Sequence, residues 1–146
     1  MKIKMDNLQL LPTFDFTITI LNKQKAQDSA TRQDVWFKNE IKNCSWSNSA
    51  VRSVMGNTVS VGASYICRIP KDVRYKPYAE WIKDNIGFTV STGDYIIKGE
   101  IEEDIITPQT IQNIIRKYRP NAFEIKYFKD NTGSVELMEH YHIEGV

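Results

Sequence analysis

At 146 residues with 41% hydrophobic side chains, the chain is the length of one ordinary domain and can bury a core. Its formal charge of +1 argues against a protein that holds nucleic acid through a broad basic surface, while leaving room for a local basic patch. No apolar run approaches the roughly 20 residues that span a membrane, and the stretch after Lys2 and Lys4 is broken by Asp6, Asn7 and Gln9, unlike a secretory leader.

The first twelve residues are mixed and aperiodic, and read as a loose arm or as a strand added to a neighbour. Phe14, Phe16, Ile18 and Ile20 then alternate with Asp15, Thr17 and Thr19, the pattern of a half-buried strand. Asn22 to Thr31 is polar without an apolar face, and reads as a loop. Val35-Trp36-Phe37 opens a second strand, which Ile41 to Trp46 either continue or follow with a third, Cys44 and Trp46 sharing a face. The only cysteines, Cys44 and Cys67, lack metal-ligand spacing and read as reduced cytosolic thiols in strands. Ala50 to Met55 is another strand, Gly56-Asn57 fits a type II′ turn, and Thr58 to Val61 returns, with Gly62-Ala63 turning the chain again.

Two runs stand out: Ser64 to Pro70 and Gly93 to Glu100. Both are short, rich in β-branched and aromatic residues, and closed by a breaker, so they read as strands, here taken as a pair at the centre of the fold. Ile96 and Ile97 take opposite faces, so that strand is covered on both sides, as in a sandwich or barrel. Between the two runs lies a basic, aromatic segment carrying Lys71, Arg74, Tyr75, Lys76, Tyr78, Trp81 and Lys83. One reading is a surface loop with a short helix over Tyr78 to Asn85 whose Trp81 and Ile82 pack down. The other is a protruding loop that lines a DNA passage or docks a neighbour, since arginine and aromatic side chains suit interface anchors and lysines tolerate sliding phosphates.

Phe88 to Val90 reads as a short strand and Ser91 to Asp94 as a turn. Glu100, Glu102, Glu103 and Asp104 form an acidic run; it lacks the alternating oxygen ligands and glycine of a calcium loop and reads as a solvated face. It is also a candidate subunit interface against the basic segment of a neighbouring copy. Thr107 and Pro108 open a helix with Ile111, Ile114, Ile115 and Tyr118 as one stripe, basic residues at its end and Pro120 beyond. Ala122 to Lys129, with Phe123, Ile125 and Tyr127 in phase, and Val135 to Ile143 form a closing hairpin around Asp130 to Gly133. His140 and His142 share a face there, but no third metal ligand is near in sequence. No phosphate loop, nucleophile elbow, zinc motif or dinucleotide fingerprint is present, and neither cysteine has an evident orienting partner. The fold expected is mainly β: a single domain over 1–146, a small β-barrel or sandwich with an N-terminal arm (1–12), a Lys/aromatic-rich loop insertion (71–87) and one amphipathic α-helix in the C-terminal half.

The order of these pieces carries a resemblance. The Tyr-x-x-Arg-Ile-Pro strand ending at Pro70, the Gly93-Asp94-x-Ile96-x-Lys98-Gly99-Glu100 strand, the opening Thr17 to Lys23 and the closing Asp130 to Ser134 with His140 to Gly145 resemble a family of small head–tail morphogenesis proteins. Those are neck and minor capsid proteins of tailed phages and prophages of Gram-positive hosts. The likeness spans about residues 17–145, with His140-Tyr141 where the family pattern has His-Trp; the first sixteen residues and Lys71 to Asn85 fall outside it. It implies a non-enzymatic virion protein without cofactor: a head-closure or stopper subunit of the neck, present in the host cytoplasm during assembly. Such a subunit joins the portal or adaptor to the tail and retains packaged DNA, in a hexameric or dodecameric ring of its own copies, with possible non-specific contact to DNA and none to membrane. Lys71 to Asn85 is then the candidate lumen loop. A tail terminator or tail-completion ring, whose neighbour is the tail tube, is the alternative within that class. A small soluble enzyme and a module that adds a strand to a partner are the alternatives outside it.

Overall fold

The computed structural model describes residues 14–55, 58–133 and 139–146. Among them six strands run β1 (Phe16–Gln24), β2 (Val35–Met55), β3 (Thr58–Pro70), β4 (Tyr95–Lys98), β5 (Ala122–Asp130) and β6 (His140–Gly145). They close into an antiparallel barrel in the order β1-β2-β3-β6-β5-β4. Two α-helices accompany them, a single turn, α1 (Tyr78–Trp81), and α2 (Ile111–Tyr118), with a short 3-10 turn at Ala26–Asp28. The fold is thus mainly β, a small closed barrel with an amphipathic helix in the C-terminal half.

The alternation of β1 sends Ile18 and Ile20 into the barrel, where they meet Ile41, Tyr65, Ile69, Ile96, Phe123 and Ile143. Tyr65 stacks on Phe123 at 5.2 Å, and Trp46 packs across both rings. The opposite faces of β1 and β4 are apolar as well. Leu21, Tyr95 and Ile97 pack outward against Ile111, Ile114 and Ile115 of α2, so the barrel wall separates two cores. Each fully buried isoleucine stabilises this arrangement by about 1.5–3 kcal/mol. The helix expected from Thr107 begins at Ile111, with Thr110 at its N-cap. Thr107 closes the turn before it, its Oγ1 accepting from the Thr110 N–H at 3.2 Å, its own N–H donating to Thr110 Oγ1 at 2.9 Å, and its carbonyl accepting from the Ile111 N–H at 3.0 Å.

Several expectations are corrected. β3 lies between β2 and β6, and β4 between β1 and β5, so the two runs taken as a pair stand on opposite sides of the barrel. The segment from Asn22 is no loop at first, because β1 runs on to Gln24 and Asn22 is buried. β2 is one strand through Ile41–Trp46 and Ala50–Met55, bulged where Ile18 faces Ile41 but Phe16 faces Cys44. Asn43 takes φ 62° at that bulge, a conformation asparagine tolerates better than most residues. Gly62 and Ala63 are ladder residues opposite Val51 and Ala50, not a turn. Phe88 makes only an isolated bridge, to Tyr75. A second bulge, between Ile125 and Tyr127, reverses the phase of β5, so Phe128 packs on the core and Tyr127 is 49% exposed. Gly56-Asn57, Val135 and Leu137 lie outside the described residues.

Candidate functional site

The basic, aromatic segment does not stand away from the barrel. Tyr75 packs against Tyr141, Phe88 and Phe128 with ring centroids 4.5, 6.0 and 5.9 Å away. Trp81 is fully buried, its ring edge-on to Phe37 at 5.3 Å and its Nε1 donating to the Gly87 carbonyl. Asn39 of β2 donates to that same carbonyl, and Lys71 N–H to Glu139 O. Tyr78 donates to Asp28 Oδ2 at 2.7 Å and accepts from the Lys25 N–H, fixing the turn after β1. The expected protruding loop is therefore a plug clasped to β2, β5 and β6, because its aromatic residues are its inward face.

Its cations face outward, each beside a carboxylate of the same chain. Lys71 pairs with Glu139 at 3.2 Å, Arg74 with Asp72 at 2.8 Å, Lys76 with Asp84 at 3.2 Å and Lys83 with Glu80 at 3.1 Å. The Arg74 guanidinium holds the Asp72 carboxyl below its ordinary range, and the Ile86 N–H and Lys76 do the same for Asp84. Such solvent-screened pairs add little to the stability of the fold. Their effect here is to cancel the charge that a phosphate-tracking surface requires.

The acidic run is likewise engaged within the chain. Lys117 of α2 reaches Glu102 at 3.3 Å and Glu103 at 3.0 Å, which raises the lysine's pKa, Glu103 contributing most. Tyr118 donates to Glu103 Oε1 at 2.7 Å, and Lys38 of β2 reaches Asp104 at 2.8 Å. These contacts tie the loop after β4 to the wall and to α2. Glu100, Glu102 and Asp104 still present exposed carboxylates. Both sides of the expected contact between copies thus have partners at home.

Strand parity separates the candidate nucleophiles from the histidines. Cys67 faces Ile143 inside the barrel, while Arg68 faces His142 on the outer side. Cys44 and Cys67 are buried and unbridged, and the hydrogen bond from Cys44 together with burial pushes the Cys67 thiol well up, away from thiolate. His142 Nε2 lies 2.9 Å from Glu144, and His140 Nε2 lies 3.3 Å from Asn131. Among the described residues no three His, Cys, Asp or Glu side chains are placed to hold a metal, and no helix is long and apolar enough to cross a membrane.

Two features were missed in the sequence. Asp94, 1% exposed, accepts from Asn22 Nδ2 at 2.9 Å and from the Lys23 N–H at 3.1 Å. Asn22 also bonds the Thr89 backbone in both directions. Burial outweighs these donors and pushes the Asp94 carboxyl up to about 7. The clue in sequence is the pairing of a strand-borne Asn with a Gly-Asp turn, which only the fold brings together.

The second feature is a ribbon. β2 pairs with β1 through residues 35–44 and with β3 through 45–55, while β3 reaches β6 only from Tyr65 onward. From Ser49↔Ser64 to Met55↔Thr58, seven pairs, the two strands have only each other among the described residues. At the usual rise per residue the ribbon continues about 20 Å beyond the barrel wall. The sequence from 49 to 64 holds a single charge, Arg52, and neither lysine nor proline. This, rather than the segment from Lys71, is the element that leaves the barrel.

Fold and site together define a closed antiparallel barrel of one domain's size that carries a nearly uncharged two-stranded ribbon and a clasped aromatic plug. The chain belongs to a family of unknown function, DUF6751, whose pattern matches residues 13–146. No curated protein and no solved structure matches it.

Proposed function

We propose that the protein is a structural component of a phage particle, a head-closure ring subunit of the neck between portal or adaptor and tail. The observation that carries this reading is the ribbon. A closed barrel has no edge with which to join its neighbours; among the described residues the ribbon leaves two strand edges without a partner, on an element whose sequence holds a single charge. The likeness of the strand sequences to neck proteins supports the same assignment. In such a ring the ribbon, residues 49–64, takes the lumen position first given to Lys71–Asn85. The neutralised cations of that segment favour docking over contact with DNA, and the work of the subunit is mechanical.

Cryo-electron microscopy of purified particle necks tests the assignment. The expected result is a ring of this chain below the portal, ribbons turned inward. Absence of the chain from mature particles overturns the proposal, and a ring seated directly on the head-proximal end of the tail tube replaces it with a tail terminator. The ribbon's open edges also suit a module that adds a strand to a partner; such a protein would bind one partner stoichiometrically without forming a ring.

A further inference from the structure

The outer face of β3, β6 and β5 carries cations that the chain leaves unmatched. Arg68 on β3 and Lys129 on β5 both stand opposite His142 on β6, so the three form one row across the sheet. At the usual strand spacing Arg68 and Lys129 are about 10 Å apart. Among the described residues neither has a carboxylate at ion-pair distance, whereas every cation of the plug does. Glu144, on the same face, is taken up by His142 Nε2 at 2.9 Å. Beside the row Tyr127, 49% exposed, sets its ring edge-on to His142 at 6.3 Å.

The loop after β4 is the counterpart in sign. Its four carboxylates, on Glu100, Glu102, Glu103 and Asp104, meet two lysines among the described residues, Lys38 and Lys117, which leaves an excess of two negative charges. The side chains of Glu102 and Asp104 stay 88% exposed, and Ile105 beside them is 82% exposed. Each patch thus sets one exposed apolar side chain beside excess charge, negative on the loop and positive on the row. We propose that the acidic loop of one copy docks on the Arg68–His142–Lys129 row of a second copy, with Ile105 against Tyr127.

The strand order explains why the partner is another copy. The loop and α2 cover the outer faces of β1 and β4, whereas the row is centred on β6. In the closed order β1-β2-β3-β6-β5-β4 those faces lie across the barrel from each other, so the loop cannot reach the row of its own chain. Two different surfaces on opposite sides make a head-to-tail contact, which repeats from copy to copy and closes into a ring when the rotation allows. Opposite charges steer the encounter and fix its register. The acidic run therefore finds its seat on this row, not on the plug, whose cations are matched at home. The contact deepens the neck reading and rests on it for closure into a ring.

Cross-linking of the full chain with a short bismaleimide, at high protein concentration, is the test. Ile105→Cys and Tyr127→Cys change exposed positions, and the native Cys44 and Cys67 are buried. The expected result is a cross-linked dimer when the two variants are mixed and none from either alone. About tenfold more salt should cut the yield about tenfold. Arg68→Glu with Lys129→Glu in the Tyr127→Cys chain should abolish the dimer, and Glu102→Lys with Asp104→Lys in the Ile105→Cys chain should restore it. No dimer in the mixture overturns the proposal, as does an equal dimer from either variant alone, which marks a two-fold contact, or a yield indifferent to charge reversal. If a charge-reversed chain does not fold, the pattern of cross-links and its salt dependence decide alone. The contact and the neck reading fail separately. The expected dimer from a chain absent from mature particles leaves the contact standing, whereas a neck ring joined through other faces removes the contact alone.

Discussion

The buried carboxyl of Asp94 makes stability depend on pH in an unusual direction. An aspartate in the unfolded chain titrates near 3.8, whereas here the group titrates at about 7. Between those values the folded chain holds a proton that the unfolded chain has released. Stability therefore falls as pH rises, by about 1.4 kcal/mol per unit through the middle of the window and by about 4 kcal/mol in all. Carboxyls held low, such as Asp72 and Asp84, act in the opposite sense but at the acid end, so above pH 5 Asp94 is separated from them, and the difference from a variant without its carboxyl cancels the two histidines. The perturbation is Asp94→Asn. Asn22 Nδ2 and the Lys23 N–H donate one to each carboxyl oxygen; the protonated acid at pH 5 accepts weakly through its hydroxyl, and the amide NH2 of asparagine does not accept at all. The variant is expected to lose about 1 kcal/mol at pH 5, where it replaces a neutral acid, and to lack the fall of about 4 kcal/mol that Asp94 causes between the two pKa values. Urea unfolding at half-unit steps of pH gives both curves. Parallel curves for the two proteins, or a carboxyl NMR signal for Asp94 titrating near 4, would falsify this account.

Other consequences can be measured directly. Ile111→Asp combined with Ile115→Asp places two unpaired charges in the outer core, at a cost of several kcal/mol; the thermal transition should disappear, and an unchanged melting temperature would show that α2 is dispensable. A Cβ at Gly145 runs into the Glu124 carbonyl and the Phe123 ring, so Gly145→Ala should cost about 1–3 kcal/mol in urea unfolding. Thr107→Ala removes the side-chain acceptor of the Thr110 N–H in the turn that leads into α2, for about 1 kcal/mol, and Thr107→Ser should restore most of it. Glutamine at Lys71, Arg74, Lys76 and Lys83 together should leave retention on a DNA column unchanged, since those cations are matched by carboxylates; a large drop would return the segment to the DNA-facing role.

What the sequence revealed depended on how local each signal was. The isoleucine stripe of the helix is a short-range pattern and appears as read, but the helix opens at Ile111 after a turn from Thr107, and β1, read as half-buried, is covered on both faces. Strand neighbours are not local, which is why the runs at Tyr65 and Tyr95 could be recognised as strands yet wrongly placed side by side. Two bulges defeated simple counting: the one before Tyr127 turned that ring outward, and the one at Asn43 shifted β2 without ending it. The basic segment misled for another reason. Lysine and arginine are evident in a sequence, but the carboxylates that neutralise them are a matter of spacing, and Glu139 in particular comes from a distant part of the chain. Asn22 and Asp94 were hidden because a buried polar pair looks like loop composition until its partners are known.

The wall shared by the two cores poses a question of alignment. In a half-exposed strand, slipping by one residue throws every apolar side chain into water, and that penalty fixes the register. β1 and β4 are apolar on both faces, Ile20 and Ile96 inward, Leu21 and Ile97 outward, so greasiness alone barely distinguishes one setting from the next. The polar contacts must act as the key. Thr19 Oγ1 meets the Gly99 carbonyl at 2.7 Å, and Asn22 meets Asp94 and Thr89, and a slip of one residue strands all of them in a dry interior. A few oxygens and nitrogens thus decide which of two nearly equal greasy arrangements the chain adopts.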